Sequence, residues 1–419
     1  MALLQATNGK CPRSLERDLA FQPECIFDGV IARNSAYQNF QQLTYTPNQK
    51  MVCLMPQQMI DFRNSWIEFT ITGNPGTYTG CAMIPDIRSI FQRITVLFGS
   101  KTVIDVNNYA WLQNAFDYLL DPQWAGNNGQ ILVGTGNLAS RQADFLNATR
   151  VYACSLRGFP GASVLFDKVL PLQKIAAQLE LDIYLAPASQ VISGTVVGVT
   201  LPTYTVNNVQ FHFDYITPSA ELNNLYDTKV NMNPPITYTY KTWENLTDSS
   251  TLAAGTSNFS KVLTFKYSSL LGILTLMQAN TVLNDFTNDS KMLAMNNNSM
   301  NQLRLRIASI SYPLDITAPY SDTFTRLLQM FGIQQEKPIA AAANWTTTSF
   351  LAACPLILNP YTNKNAGCDD GGLNTAIATS LIFEGGFSTP LATAQTMYIY
   401  ALTEQVLTFL SNGGVTWNA

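Results

Sequence analysis

A chain of 419 residues is too long for one ordinary core and is expected to divide into two or three domains. Apolar residues make up 47% and charged residues only 12%, about half the share of an average soluble domain, with a formal net charge of −4. The weak charge and the absence of like-charge runs exclude a dedicated nucleic-acid-binding domain, and a surface covered by Asn, Gln, Ser, Thr and apolar groups suits contact with other subunits.

The first residues, MALLQATNGKCPRSLERD, show few strand signals and mixed charge, Lys10, Arg13 and Arg17 being offset by Glu16 and Asp18. They lack an apolar core of signal-peptide length, so the chain is read as made without a secretion signal in a reducing compartment. Period-two patterns then dominate. In DFRNSWIEFTIT, Ile67, Phe69 and Ile71 alternate with Glu68, Thr70 and Thr72, which marks a strand with one dry face. NNYAWLQNAFDYLL places Leu112, Ala115, Phe116 and Leu119 on one stripe and predicts a helix over residues 108–120. QILVGTGNLA (130–139) reads as a strand followed by GxGxxA through Gly134, Gly136 and Ala139. A dinucleotide fold also needs an acidic residue about twenty positions later, and residues 150–166 contain no carboxylate, so this is a glycine-bearing loop.

Alternation returns in QLELDIYLA, where Leu179, Leu181, Ile183 and Leu185 oppose Glu180, Asp182 and Tyr184, and in VNNVQFHFDYI through Val209, Phe211, Phe213 and Tyr215. Pro234 and Pro235 interrupt any strand and divide the chain near its middle. LLGILTLM (270–277), the longest strongly apolar stretch, is far short of a membrane span. QLRLRIAS sets Leu303, Leu305 and Ile307 against Arg304 and Arg306. SDTFTRLLQMFG predicts a second helix over 321–331, with Phe324, Leu327, Leu328 and Phe331 on one side, Ser321 or Asp322 as the cap and Gly332 as the stop. Each helix is expected to pack on its own sheet. Strands with one wet and one dry face belong to antiparallel sheets, so the expected class is all-β, built as sandwiches.

Chemistry-bearing patterns are sparse. His212 is the only histidine, which excludes histidine-rich zinc sites within one chain, and it reads as a surface or rim residue of its strand. Glu180 and Asp182 share a strand face; a carboxylate pair is what glycoside cleavage requires, but such pairs more often line a solvated face. DDGG at 369–372 reads as a turn. The cysteines (Cys11, Cys25, Cys53, Cys81, Cys154, Cys354, Cys368) are scattered, never spaced as CxxC, and read as reduced, partly buried thiols. The Asn-x-Ser/Thr sequons at Asn147, Asn245, Asn258, Asn288, Asn297 and Asn344 are what an Asn/Thr-rich chain contains by chance. No catalytic, cofactor-binding or metal-ligating residue is assigned, and no cofactor or small-molecule substrate is expected; the chain is read as not an enzyme.

Six stretches together carry a resemblance: MPQQMIDFRNSWIEFTIT, SIFQRITVLFGSKTVIDVNNYAWLQNAFDYLL, FDKVLPLQKIAAQLELDIYLAP and YTVNNVQFHFDYITPSAELNNLY in the first half, MNQLRLRIASISYPLDI and QTMYIYALTEQVLTFLSNGGVTW in the second. Their order resembles the double jelly-roll major capsid proteins of icosahedral DNA viruses, the adenovirus-like and polinton- or virophage-like lineage, over about residues 55–415. The resemblance implies two consecutive eight-stranded jelly-roll barrels with short helical insertions: an N-terminal arm at 1–25, a first jelly roll at 26–228 and a second at 229–419. It further implies a homotrimer forming a pseudo-hexagonal capsomer of an icosahedral virion shell, with capsomer–capsomer contacts and penton or minor capsid proteins as partners. The arm would meet an internal membrane or the genome. At 419 residues the chain is short for that family, which argues against large outer towers in the loops. The competing expectation is a carbohydrate-binding or glycoside-cleaving two-domain β-sandwich.

Overall fold

The computed structural model describes residues 30–117, 125–155, 169–195, 198–231, 236–246, 250–289, 291–293, 295, 298–315, 357–360, 372–376, 380–410 and 414–418. The first half contains β1 (Val30–Asn39), β2 (Thr44–Tyr45), β3 (Lys50–Leu54), β4 (Met59–Asn74), β5 (Ala82–Met83), β6 (Phe91–Phe98), β7 (Lys101–Asn107), β8 (Val151–Ser155), β9 (Val169–Pro171), β10 (Leu179–Leu185), β11 (Ile192–Ser193) and β12 (Thr203–Pro218). The second contains β13 (Ile236–Asn245), β14 (Ser250–Leu252), β15 (Asn258–Leu263), β16 (Leu270–Ala279), β17 (Met300–Ile307), β18 (Ile310–Asp315), β19 (Ile357–Pro360), β20 (Leu381–Phe387), β21 (Gln395–Phe409) and β22 (Val415–Asn418). Three helices matter to the argument: α1 (Tyr109–Asp117), α2 (Leu138–Leu146) and α3 (Ala220–Asn231).

Strand order defines the architecture. The first half pairs β1-β12-β4-β8 in one sheet and β3-β10-β6-β7 in another; the second pairs β13-β21-β16-β19 and β15-β20-β17-β18. Counting the eight principal strands of each half from its start, both halves read 1-8-3-6 and 2-7-4-5. Paired antiparallel sheets wound in this order are a jelly roll, and the chain makes it twice. Short strands extend the sheets: β2 joins β12, β9 joins β4, β14 and β22 join β21, and β5 pairs with β11.

The alternation read from sequence is what fills the cores. Ile67, Phe69 and Ile71 on β4, Leu179, Leu181 and Ile183 on β10, and Phe211 and Phe213 on β12 are all buried in the first sandwich. On β17, Leu303 and Leu305 are buried in the second core while Arg304 stays exposed. The run LLGILTLM is explained differently: β16 is buried on both faces. Leu270, Ile273 and Met277 enter the second sandwich's own core, whereas Leu271, Leu274 and Leu276 join the cluster that includes the first sandwich. A strand with two dry faces reads as a continuous apolar run.

Several local readings are corrected. QILV is not a strand: Gln130–Val133 is a single helical turn that ends on Gly134 at φ 70, with Ile131 and Leu132 exposed. The loop follows as expected, but Leu138 then opens α2, capped by the Asn137 side chain, which accepts from the Ser140 N–H at 2.9 Å. The stretch ending AELNNLY does not continue β12. Ser219 caps α3 by accepting from the Leu222 N–H at 3.1 Å. The helix expected over 108–120 is present as α1, Leu119 lying outside the described residues. Also outside them lie the second predicted helix at 321–331, residues 369–371 of the DDGG turn, the arm at 1–25, Cys11, Cys25, Cys354 and Cys368. Cys53, Cys81 and Cys154 are free and buried, and burial pushes the Cys53 thiol up to about 12. Glycine is obligatory where the loop after β4 meets the loop before β12: at Gly76, φ is 60 and a Cβ would stand 2.4 Å from the Thr200 carbonyl oxygen.

Candidate functional site

His212 sits on the outward face of β12, in the middle of the sheet and not at its rim. Its cross-strand neighbours are Tyr37 on β1 and Trp66 on β4. The imidazole stacks on the Trp66 ring at 4.7 Å and 5° and leans on Tyr37 at 5.8 Å. Nε2 stands 3.7 Å from the Glu68 carboxylate, a long approach, and the imidazole's neighbours are the rings of Tyr37 and Trp66 and that carboxylate, with no serine, threonine or cysteine nucleophile among them. That is a packed aromatic trio and lacks the parts of a catalytic relay. Among the described residues no group of three or more His, Cys, Asp or Glu side chains is placed to hold a metal ion.

Glu180 and Asp182 do not form the solvated pair expected of them. Asp182 is only 2% exposed, because Val52 on β3 and Thr95 on β6 flank it in register and Lys50 closes over it at 2.6 Å. Burial, reinforced by the neighbouring Glu180 and only partly opposed by Lys50, pushes the Asp182 carboxyl up to about 6. Asp182 Oδ1 and Thr95 Oγ1 are buried without a hydrogen-bond partner. A carboxyl whose folded pKa lies above its unfolded value of 3.8 destabilises the fold progressively as pH rises between those two values. Asp182→Asn is therefore expected to gain about 1–2 kcal/mol relative to the native chain between pH 4 and pH 7, read as unfolding midpoints at both values. A difference that is the same at both pH values contradicts the assignment.

The two sandwiches meet in a seam that is apolar at its centre and polar at its ends. Although α1 also lies on its own sandwich, contrary to expectation its main aromatic side chains engage the second one. Trp111 stacks on Tyr398 at 4.7 Å and donates from Nε1 to Gln278 Oε1 at 2.9 Å, and Phe116 meets Trp243 edge-on at 5.7 Å. Tyr400 donates to the Asn108 carbonyl at 2.7 Å, and Tyr240 to the Val103 carbonyl on β7 at 2.9 Å. Near β22, Lys101 donates to the Val415 carbonyl at 2.8 Å, and Phe98 packs edge-on against Phe409.

At the other end Arg141 of α2 forms a bidentate pair with Asp289, at 3.0 and 2.6 Å, and Ser193 donates to the same carboxylate at 2.8 Å. Lys291 is wholly buried, donates to the carbonyls of Ser189 and Ile192, and lies 4.6 Å over the Phe286 ring. Burial lowers its pKa to about 8, with Asp285 and Asp289 opposing. Sequence reasoning assigned none of these residues.

One surface dent lies on the outer sheet of the second sandwich, between Asn258, Gln302, Arg304 and Glu384, where Gly385 and Gly386 contribute no side chain. Arg304 and Glu384 already bind each other at 2.6 Å, and its only aromatic, Phe259, is 7% exposed. It offers no aromatic platform on which a sugar ring would stack.

The class these features define is the double jelly roll: one chain, two sandwiches of identical winding, joined by a buried seam. No protein-family model and no curated protein matches the sequence. Solved structures do match. The capsid chain of PBCV-1 virus superposes with a TM-score of 0.61 at 14% identity, covering 93% of this chain and 96% of that one. A chain of the Sputnik virophage gives 0.53 at 14% identity, covering 94% and 89%. The Faustovirus major capsid protein gives 0.53 at 9% identity, covering 97% and 96%. The fold is that of the double jelly-roll capsid proteins of large DNA viruses and virophages.

Proposed function

We propose that this chain is a structural major capsid protein. Three copies associate into a pseudo-hexagonal capsomer, and capsomers build an icosahedral virion shell. The observation that carries the reading is the doubled winding: two sandwiches with the same strand order in one chain let a trimer present six similar units around its axis. The low charge supports it, since weakly charged faces lose little solvation when buried between subunits. The fold likeness to viral capsid chains supports it too.

On this reading the chain divides into an arm at 1–25, a first jelly roll at 26–228 and a second at 229–419. Its partners are further copies, penton or minor capsid proteins, and, through the arm, an internal membrane or the genome. It resides in the virion and performs no catalysis. Light scattering on the purified 46.2 kDa chain is expected to give three times that mass, with hexagonal outlines in negative stain. A well-behaved monomer at micromolar concentration would overturn the proposal. Specific binding on a glycan array would favour the carbohydrate reading instead.

A further inference from the structure

We infer that the outward face of the β1-β12-β4-β8 sheet is the seat of a second copy of this chain, whose second sandwich approaches through the edge strand β18. The inference rests on the capsomer reading and names the surface that makes the trimer.

The internal seam supplies the template. In the second sandwich the sheet β13-β21-β16-β19 turns its outward face to the first sandwich, and β7 and α1 close over it. Tyr240, Leu274, Leu276, Tyr398 and Tyr400 on that face are at most 2% exposed. The first sandwich has the same sheet in the same strand order, yet among the described residues its outward face keeps exposed side chains. On β1, the counterpart of β13, Ile31 is 70% and Tyr37 56% exposed. The counterpart of β7 is β18, and its Ile310 is 58% exposed. Among the described residues, each half of the seam thus recurs once without its mate. Repeating the internal step brings β18 of one copy onto β1 of the next, a head-to-tail contact that closes into a ring when the rotation permits.

The open face is also chemically ready to be desolvated. At its centre lies the aromatic trio of Tyr37, His212 and Trp66. Around it, polar side chains satisfy one another: Ser35 donates to Asp214 at 2.6 Å, Gln210 to Asn39 at 3.2 Å, and Asn207 to Thr72 at 3.1 Å. Polar groups already paired within one surface lose few hydrogen bonds when a neighbour excludes water. An aromatic centre with a polar surround is the anatomy of a protein interface.

The test compares three substitutions at exposed positions by light scattering across a dilution series, in mild urea where the native trimer dissociates. Tyr37→Asp and Ile310→Asp place a charge on the two sides of the proposed contact, and Val262→Asp places one on β15 at a residue 71% exposed, outside it. An unpaired charge caught in a closed interface should raise the dissociation midpoint at least about 100-fold, with the circular dichroism of the subunit unchanged. Val262→Asp should leave the midpoint in place. Native trimer stability in both Tyr37→Asp and Ile310→Asp, or equal weakening by Val262→Asp, overturns this surface while the capsomer reading stands. A native chain that is itself monomeric removes the capsomer reading, and this inference with it.

Discussion

Trp111→Ala is expected to cost about 3–5 kcal/mol of stability, as deletion of a fully buried aromatic does, and to loosen the two sandwiches from each other more than it disturbs either core. Trp111 is 1% exposed, its ring lies against Tyr398, and its indole N–H is the donor to Gln278 Oε1. Alanine leaves a cavity in the centre of the seam and an acceptor without its donor. The carboxamide keeps its other bond, donated to the Lys291 carbonyl, so part of the local frame survives. Trp111→Phe separates the two effects. It keeps most of the packed area and loses only the hydrogen bond, for an expected cost of about 1–2 kcal/mol. Urea unfolding followed by near-UV circular dichroism reads both, and hydrogen exchange along β16 and β21 should rise first. An alanine variant that unfolds within 1 kcal/mol of the native chain, on the order of a surface substitution, would mean that the seam is not a cohesive interface.

The strands were legible because their signal is local. Period-two alternation in β4, β10, β12 and β17 needs no knowledge of the rest of the chain, and it marked the residues that fill the cores. Two local signals were present and passed over. Ser219, with Glu221 in the first turn, is a helix-start pattern that turns the chain into α3, and Asn137 does the same for α2. The rest could not be read locally. Asp182 alternates as an outward residue, and it is buried by Val52, Thr95 and Lys50, all brought from other strands. LLGILTLM carries the right residues for a doubly covered strand, but the second cover comes from the other half of the chain. The same distance hid the seam: Trp111 is 167 residues from Gln278, and Arg141 is 148 from Asp289. His212, singled out for being unique, proved instead to mark the centre of an open sheet face.

Arg141→Met tests the polar end of the seam and joins it to pH. Arg141 is 5% exposed, and besides its two bonds to Asp289 it donates to the carbonyls of Met83 at 2.6 Å and Gly136 at 2.9 Å. Methionine fills part of the volume but strands two carbonyls and one carboxylate. Because the Asp289 side chain remains 37% exposed, water takes over some of its solvation, and the expected cost at pH 7 is about 2–4 kcal/mol, below that of breaking a fully buried pair. Burial alone would raise the Asp289 carboxyl, but the hydrogen bonds from Arg141 and Ser193 outweigh it and hold the group below its ordinary 3.8. A carboxyl with a depressed folded pKa contributes its stability above the unfolded value and loses it as pH falls through the folded one. The native chain should therefore lose part of its advantage over Arg141→Met in acid. Unfolding midpoints of the two chains should lie closer together in acid, below the ordinary carboxylate range, than at pH 7, because protonation of Asp289 weakens its hold on the guanidinium while the two carbonyl bonds persist. A gap that stays constant across that range would assign the Arg141 contribution to its two carbonyl bonds alone and remove the ion pair from the account of how the sandwiches are held together.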